Sequence, residues 1–269
     1  MDCFNPIGVR NPSYKGIAGT YMYNFVPCGK CEACLRRKQN EWFSRMKVES
    51  RHWDFSLFVT LTYDEEKCPL SVKKDDVQKF FKRLRADLPG RSFKYFLCSE
   101  YGPENGRPHY HAIIFGLGYR DASVIEKAWN NGFIKVDLVN DNRIRYVTGY
   151  IIEKNFVPRG KDSLFTLISK GIGAHYLEDC KDFHTHIDRM YIPDYSSRLK
   201  MPRYLKEKLY SKGQRKAFAE KCQNDANERV AKQIADLGFE EWKRINYSFT
   251  RSFIRKMQNS HKRKKQNGI

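Results

Sequence analysis

Two histidines, His109 and His111, are followed at once by an apolar run that predicts a β-strand. Side chains alternate between the two faces of a strand, so both imidazoles should point one way and Tyr110 the other. Neutral imidazole binds divalent cations, and a strand holds the spacing of two ligands more rigidly than a loop does. The pair is therefore half of a candidate metal site, although the same spacing also fits histidines packed in a core.

A carboxylate upstream could complete this site. Residues 93–100 predict a second strand that ends at Glu100. The connecting residues 101–107 include two glycines, a proline and an asparagine, which are typical of a turn. A hairpin formed by the two strands would bring Glu100 beside His109. Two imidazoles and a carboxylate, with coordination positions left open, can hold Mg²⁺ or Mn²⁺ and leave room for a phosphate oxygen.

Three further side chains recur at intervals of four in residues 143–154, which predict a helix: Tyr146, Tyr150 and Lys154. At this spacing they project from one face, with successive hydroxyls about 6 Å apart along the helix axis. A tyrosine hydroxyl beside a bound metal can attack a phosphodiester and form a covalent phosphotyrosine. Two hydroxyls could perform two successive transfers. The alternative explanation is aromatic packing against a sheet.

Four cysteines form a second candidate metal site near the N-terminus. Cys28, Cys31 and Cys34 follow the spacing C-x-x-C-x-x-C, and Cys3 could supply a fourth thiolate. Such thiolates bind Zn²⁺ in closed tetrahedral sites whose role is structural. The run also resembles part of an iron–sulfur pattern that lacks the usual fourth cysteine and proline. Reduced thiols without metal are the third possibility.

The composition indicates the class of partner. The chain has 269 residues and a formal net charge of +19, so we expect it to bind a polyanion, most often nucleic acid. No apolar run has the length of a membrane span and no signal-peptide pattern is present, which predicts no membrane partner. Eight cysteines without a secretory signal indicate a reducing compartment. No phosphate-binding loop that would indicate ATP hydrolysis is present.

The predicted order of elements is strand, helix, strand, strand, helix, strand, helix. This order indicates a ferredoxin-like (RRM-like) α+β fold, an antiparallel sheet with helices on one face. We predict three parts: a cysteine-rich segment and helix at 1–50, a central domain at 51–205, and a basic helical extension at 206–269.

These motifs occur together, and in the same order, in a known family. The strand at 58–63, the Gly106-Arg107-Pro108-His109-Tyr110-His111 motif preceded by Glu100, and the Tyr146/Tyr150/Lys154 helix resemble the HUH endonucleases that start rolling-circle replication. The tyrosine pair, the early cysteine, and the stretches 26–34 and 169–173 are similar to the initiators of microviruses, in particular the gokushovirus group. The likeness covers roughly residues 1–210. It departs from the family pattern at Glu153, where a second lysine is common, and in residues 121–142.

The resemblance implies a site-specific single-strand DNA endonuclease and ligase. Such an enzyme nicks the replicative circle of a phage with a circular single-stranded genome and remains attached to the 5′ end through a phosphotyrosine. A second transfer then rejoins the ends. The implied partners are single-stranded and origin double-stranded DNA, a host helicase and a host DNA polymerase, and the implied location is the host bacterial cytoplasm.

Two other classes of protein fit part of this pattern. A non-catalytic single-strand binder on an RRM-like sheet would display aromatic residues on its strands, but it would not need Glu100, His109 and His111 to converge on a tyrosine helix. A relaxase or transposase of the same superfamily shares the histidine pair. The cysteine-rich N-terminus and the two tyrosines four residues apart favour the phage initiator.

Overall fold

The structure is a computed structural model that describes residue 3 and residues 5–12, 14–16, 22–102, 106–153, 157–195 and 197–245. Its strands and helices, apart from short 3₁₀ turns, are in chain order β1 (Ile7–Arg10), β2 (Tyr23–Val26), α1 (Glu32–His52), β3 (Ser56–Tyr63), α2 (Lys74–Asp87), β4 (Lys94–Tyr101), β5 (Pro108–Phe115), α3 (Ala122–Trp129), β6 (Gly132–Leu138), α4 (Asp141–Glu153), β7 (Thr166–Ile168), α5 (Tyr176–Asp179), β8 (Tyr191–Asp194), β9 (Ser197–Lys200), α6 (Arg203–Leu209) and α7 (Lys212–Leu237).

A five-stranded antiparallel sheet lies at the centre, in the order β6-β3-β5-β4-β7. Its first four strands belong to the unit β3-α2-β4-β5-α3-β6, which is the ferredoxin-like succession. The strand β3 lies inside the sheet because its run of β-branched, aromatic and leucine side chains suits burial on both faces. The predicted α+β fold is confirmed.

Helices cover both faces of this sheet, whereas the sequence analysis placed them on one. Leu57 and Leu61 of β3 pack with α2 and α3, while Phe58 faces the other way towards α1 and α4. The strands β3 and β5 are almost entirely buried, so neither face could be left to solvent. The second helical layer matters for function because α4 carries the two tyrosines.

Several short elements lie where the sequence offers little periodicity. The β1–β2 hairpin falls in a segment predicted to be irregular, and β7 extends the sheet beyond β4. A smaller apolar cluster joins α5, β8 and α6. His184, predicted to be a loop residue, is buried there and hydrogen-bonds to Tyr176 Oη at 2.8 Å. The helix α7 agrees with a helical C-terminal part, whereas residues 246–269 lie outside the described chain.

Residues 171–173, predicted to form a bend, make a turn packed on α1. Gly173 has φ +79°, and its N–H donates to Glu49 Oε2 at 2.5 Å. Arg45 Nε donates to the Ile172 carbonyl at 2.9 Å, and Lys94 Nζ donates to the Gly171 carbonyl at 3.1 Å. These contacts give the turn a structural role. Separately, none of the helices in the described ranges is long and apolar enough to cross a membrane.

Candidate active site

The strand register aligns the predicted metal ligands on one face of the sheet. Glu100 on β4 lies opposite His109 on β5, which in turn lies opposite Thr62 on β3. The next row on the same face brings His111 opposite Thr60. This is the hairpin predicted from the sequence, and its ends are joined by a hydrogen bond from Gly102 N to the Arg107 carbonyl at 2.8 Å.

The carboxylate of Glu100 joins the histidine strand to the tyrosine helix. Its Oε2 lies 2.7 Å from His111 Nε2 and accepts a hydrogen bond from Tyr150 Oη at 2.6 Å. The Tyr150 and Tyr146 hydroxyls are 2.5 Å apart. Since one Tyr150 proton cannot serve both neighbours, the chain runs from Tyr146 through Tyr150 to Glu100.

Hydrogen bonds orient both imidazoles. His109 Nδ1 lies 2.8 Å from the Arg107 carbonyl, an acceptor, so Nδ1 carries the proton and Nε2 keeps a lone pair. Burial lowers the pKa of His109, which favours the neutral form that binds metals. His111 Nδ1 lies 3.1 Å from Thr60 Oγ1. Thr60 was not predicted to take part, although its place on a strand paired with His111 could have suggested it.

The pKa values of Glu100 and Tyr150 shift in opposite directions. Burial alone would raise the pKa of Glu100, but the hydrogen bonds from His111 and Tyr150 and the nearby imidazoles hold it below its usual value. Burial raises the pKa of Tyr150, and the Glu100 charge raises it further. Glu100 is therefore ionised, whereas the Tyr150 phenol is protonated.

The two tyrosines differ in exposure. Tyr150 is 4% exposed and its ring stacks on His111, whereas Tyr146 is 45% exposed. The Tyr146 ring stands edge-on to His111 and to Phe58, with centroids 5.3 and 6.0 Å away. Phe58 was not identified as a contributor to the site from the sequence. A substrate can reach the Tyr146 hydroxyl more easily than that of Tyr150.

Two predicted candidates are not part of this arrangement. Lys154 lies outside the described residues. Tyr63, considered as a reserve nucleophile, lies on the opposite face of the sheet, where its hydroxyl donates to Asp76 Oδ2 at 2.8 Å and lies 3.0 Å from Tyr110 Oη. Tyr63 is 1% exposed, so it cannot attack a phosphate bound near His111.

Comparison with known proteins supports the resemblance seen in the motifs. Residues 56–155 match the family model of replication-associated proteins of the ORF2 type. Over 239 residues, 77% of this chain and 74% of the relative, the sequence is 27% identical to replication-associated protein ORF2 of Spiroplasma virus 4. This chain resembles phage replication-associated proteins. The resemblance predicted from the sequence is thereby confirmed.

Two further relatives are matched over shorter regions. Replication-associated protein ORF4 of Chlamydia phage 1 is 30% identical over 49% of this chain and 39% of its own length. Replication-associated protein VP4 of Bdellovibrio phage phiMH2K is 30% identical over 56% of this chain and 55% of its own length. The chain therefore spans well under two thirds of both relatives.

The four predicted cysteines meet in one cluster. The sulfur atoms of Cys3, Cys28, Cys31 and Cys34 all lie within 4.8 Å of one another. The Cys3 and Cys31 sulfurs are 3.7 Å apart, and the Cys28 N–H donates to Cys3 Sγ at 3.2 Å. Backbone N–H donors lower the pKa of the Cys28 thiol, which favours a thiolate. The cluster could hold a structural metal ion.

Within the described ranges this cluster is the one group of histidine, cysteine and acidic side chains whose ligand atoms are all so close. Glu100, His109 and His111 are neighbours, but their ligand atoms do not reach that mutual spacing. The Arg107 carbonyl orients His109, and Glu100 bonds to Tyr150 as well as His111. The three residues therefore form an open set rather than a closed cage.

Proposed function

We propose that this protein is a metal-dependent DNA nickase and strand transferase that starts and ends rolling-circle replication of a circular single-stranded phage genome. The observation that carries the proposal is the Glu100 carboxylate, which bonds to His111 on one side and to the Tyr150–Tyr146 pair on the other. A nucleic-acid binder without chemistry has no need for this buried polar network, which costs free energy unless it is fully satisfied. The similarity to phage replication-associated proteins also favours this role.

A divalent cation, Mg²⁺ or Mn²⁺, would be held by His109, His111 and Glu100. The donor set fits, because His109 presents an unprotonated Nε2 and Glu100 is an ionised carboxylate. An open set of three ligands also leaves coordination positions for phosphate oxygens. When bound, the cation would neutralise charge on the phosphate and polarise its bonds.

Tyr146 makes the first attack in this proposal because its hydroxyl is the more accessible one. Its oxygen bonds to phosphorus while its proton passes to the Tyr150 oxygen, and the Tyr150 proton passes to Glu100. The bond from phosphorus to the 3′ oxygen breaks, and that oxygen takes a proton from solvent. The products are a 5′-phosphotyrosine and a free 3′ hydroxyl.

Tyr150 performs the second transfer after synthesis from that 3′ hydroxyl. Its hydroxyl attacks the newly made junction, and the released 3′ end then displaces Tyr146 to close the circle. Lys154 would stabilise charge on the phosphate. The cycle takes place in the host bacterial cytoplasm on origin duplex and single-stranded DNA. A host helicase would separate the strands and a host polymerase would extend the 3′ end.

The cysteine cluster holds a structural Zn²⁺ in the same proposal. Four thiolates at mutual spacings below 4.8 Å suit tetrahedral coordination. The metal would attach Cys3 and the β1–β2 hairpin to the start of α1, where Cys34 lies.

The test is adduct formation on a labelled library of single-stranded oligonucleotides of random sequence, with Mn²⁺, read on a denaturing gel. We expect a covalent protein–DNA band that disappears with chelator and in His111→Ala. The matched control is His186→Ala, a histidine in the 182–189 segment, which should keep the band. A band of full intensity from His111→Ala in chelator, or no band from the wild type on this library, would overturn the proposal.

A further inference from the structure

The row of residues that contains the candidate metal ligands continues to the edge of the sheet. Thr62, opposite His109, also lies opposite Phe133 on β6. Paired residues on neighbouring antiparallel strands project from the same face, so Phe133 shares the face of His109 and Glu100. Strands lie about 4.8 Å apart, which places the Phe133 backbone roughly 10 Å from that of His109.

Phe133 is exposed on this face. Its side chain is 67% accessible, although its neighbours on β6, Ile134 and Val136, pack against the core on the other face. A single exposed apolar residue needs no explanation by itself. What distinguishes this one is that it lies in the same row of the sheet as the ligand set.

A lysine lies beside it in the second row. Lys135 pairs with Thr60, which pairs with His111, so Lys135 points out on the same face. Its side chain is exposed and forms no ion pair or hydrogen bond with the described part of the chain. An ammonium group held on a strand without a carboxylate partner is available to a phosphate.

The helix α4 stops short of these two residues. It covers the third row, where Arg143 pairs with Asp137 at 3.1 Å and its guanidinium lies over the Phe58 ring at 5.9 Å. Tyr146 follows one turn later, beside His111. The surface between Tyr146 and the edge strand β6 is therefore open, with Phe133 and Lys135 at its far side.

We infer that Phe133 and Lys135 form a subsite for a nucleotide that flanks the cleaved phosphate in unpaired DNA, the base stacking on Phe133 and its phosphate contacting Lys135. This rests on the proposed function. Stacking on an aromatic ring requires an unpaired base with an exposed face, which single-stranded DNA offers and duplex DNA does not. A lysine beside an aromatic side chain matches this combination of phosphate and base, and the net charge of +19 favours DNA over an apolar protein surface.

The experiment measures binding separately from cleavage. The double variant Tyr146→Phe, Tyr150→Phe serves as background, and the probe is a fluorescein-labelled single strand of about 12 nucleotides read by anisotropy, a length within the usual site size of such binders. Adding Phe133→Ala should weaken binding on the order of tenfold, and Phe133→Tyr should restore it. Lys135→Ala should weaken binding and reduce the slope of log affinity against log salt by about one.

Two substitutions on the same scaffold serve as controls. Leu138→Ala removes a half-exposed apolar side chain from β6 that points away from the site, since Leu138 lies opposite the core residue Leu57. Lys82→Ala removes an exposed charge from α2 on the far face. Both variants should bind single-stranded DNA as the background protein does.

The outcomes separate this inference from the proposed function. If the wild type forms the adduct but Phe133→Ala binds no worse than Leu138→Ala, the subsite is wrong and the nickase stands. If the wild type forms no adduct while Phe133→Ala still loses single-strand binding, the nickase is wrong and the subsite stands. Equal losses of Phe133→Ala on single-stranded and duplex probes would also contradict base stacking.

Discussion

Glu100 accepts hydrogen bonds from both His111 and Tyr150, so a change at this one carboxylate reaches the histidine strand and the tyrosine helix together. Its ionised form is stabilised by those same donors. The residue therefore has two tasks, to bind a cation and to accept a proton relayed from the nucleophile. The order in which the tyrosines act follows from this arrangement.

We predict that Tyr146→Phe abolishes the first adduct, since the accessible hydroxyl is lost while the ring is kept. Tyr150→Phe should still form an adduct, slowed by no more than about 10²-fold because only the proton relay is broken. Mass spectrometry of tryptic peptides from the trapped adduct should find the nucleotide on Tyr146. Tyr63→Phe, on the opposite face, is the control; a nucleotide found first on Tyr150 would contradict the assigned order.

Asp121 gives a residue-scale prediction about stability. Its carboxylate pairs with Arg91 at 2.5 Å and accepts the Gly118 N–H at 2.9 Å. The Arg91 hydrogen bond holds the pKa of Asp121 below its usual value, despite burial. The folded pKa lies below the unfolded value of about 3.9, so the stabilisation is present above about pH 4 and is lost as the pH falls through the folded pKa.

Asp121→Asn should therefore lower the free energy of unfolding at pH 7 by about 2 kcal/mol. The gap between wild type and variant should narrow below about pH 4. Urea unfolding at neutral pH and at a pH below 4 measures both values. Asp188→Asn, which removes a pair between Asp188 and Lys221 at the surface, should leave the free energy of unfolding almost unchanged, because solvent screens this pair. An equal cost for the two variants would contradict the role assigned to Asp121.

At the scale of elements, the cysteine cluster connects the N-terminal hairpin to α1. We predict about one zinc per chain in protein purified without added metal, and its loss in Cys28→Ser. Amide exchange in β1 and β2 should then accelerate, because a two-stranded hairpin is marginal by itself. Cys222→Ser, an exposed thiol on α7, should keep the metal. A wild-type protein free of zinc would favour plain thiols.

Two glycines in different elements should respond oppositely to alanine. Gly132 starts β6 with φ +152°, and a Cβ there would collide with the Thr62 carbonyl oxygen at 2.5 Å and with nearby backbone of β3 and Asp64. Gly149 lies within α4, and its Cβ would meet only Gln39 Nε2, at 3.8 Å. Gly132→Ala should destabilise the fold by about 2 kcal/mol or more.

Gly149→Ala should raise the free energy of unfolding by about 0.5–1 kcal/mol through helix propensity. Thermal and urea unfolding of the two variants beside the wild type measure both effects. A neutral Gly132→Ala would show that β6 can shift away from β3. In that case the register that aligns Phe133 with Thr62 would also be in doubt.

At the scale of the whole molecule, charge governs the affinity for DNA. The net charge of +19 includes seven lysines and arginines, and no acidic residue, within positions 246–269. Deleting this segment should weaken binding to DNA of any sequence and reduce the slope of log affinity against log salt by several units. Adduct formation at low salt should persist, because the candidate site lies in residues 58–150. An unchanged slope would mean that the segment does not contact DNA.

The sequence alone determined the elements whose periodicity is strong. The bounds predicted for β3, α3 and β6 agree with the structure, since dense β-branched runs and a compact amphipathic segment leave little choice. The parity of His109 and His111 on one strand fixed their common face. The spacing of Tyr146 and Tyr150 placed their hydroxyls one helical turn apart.

Tertiary structure decided which of these groups meet. Strand register aligned Glu100 with His109, and the packing of α4 over that face buried Tyr150 while leaving Tyr146 exposed. It also turned Tyr63 to the far face, and joined the short strands β1, β2 and β7 to their partners. The physical reason is that periodicity reports a segment's own conformation. The choice of partner and face depends on contacts between residues far apart in the chain, which no local pattern records.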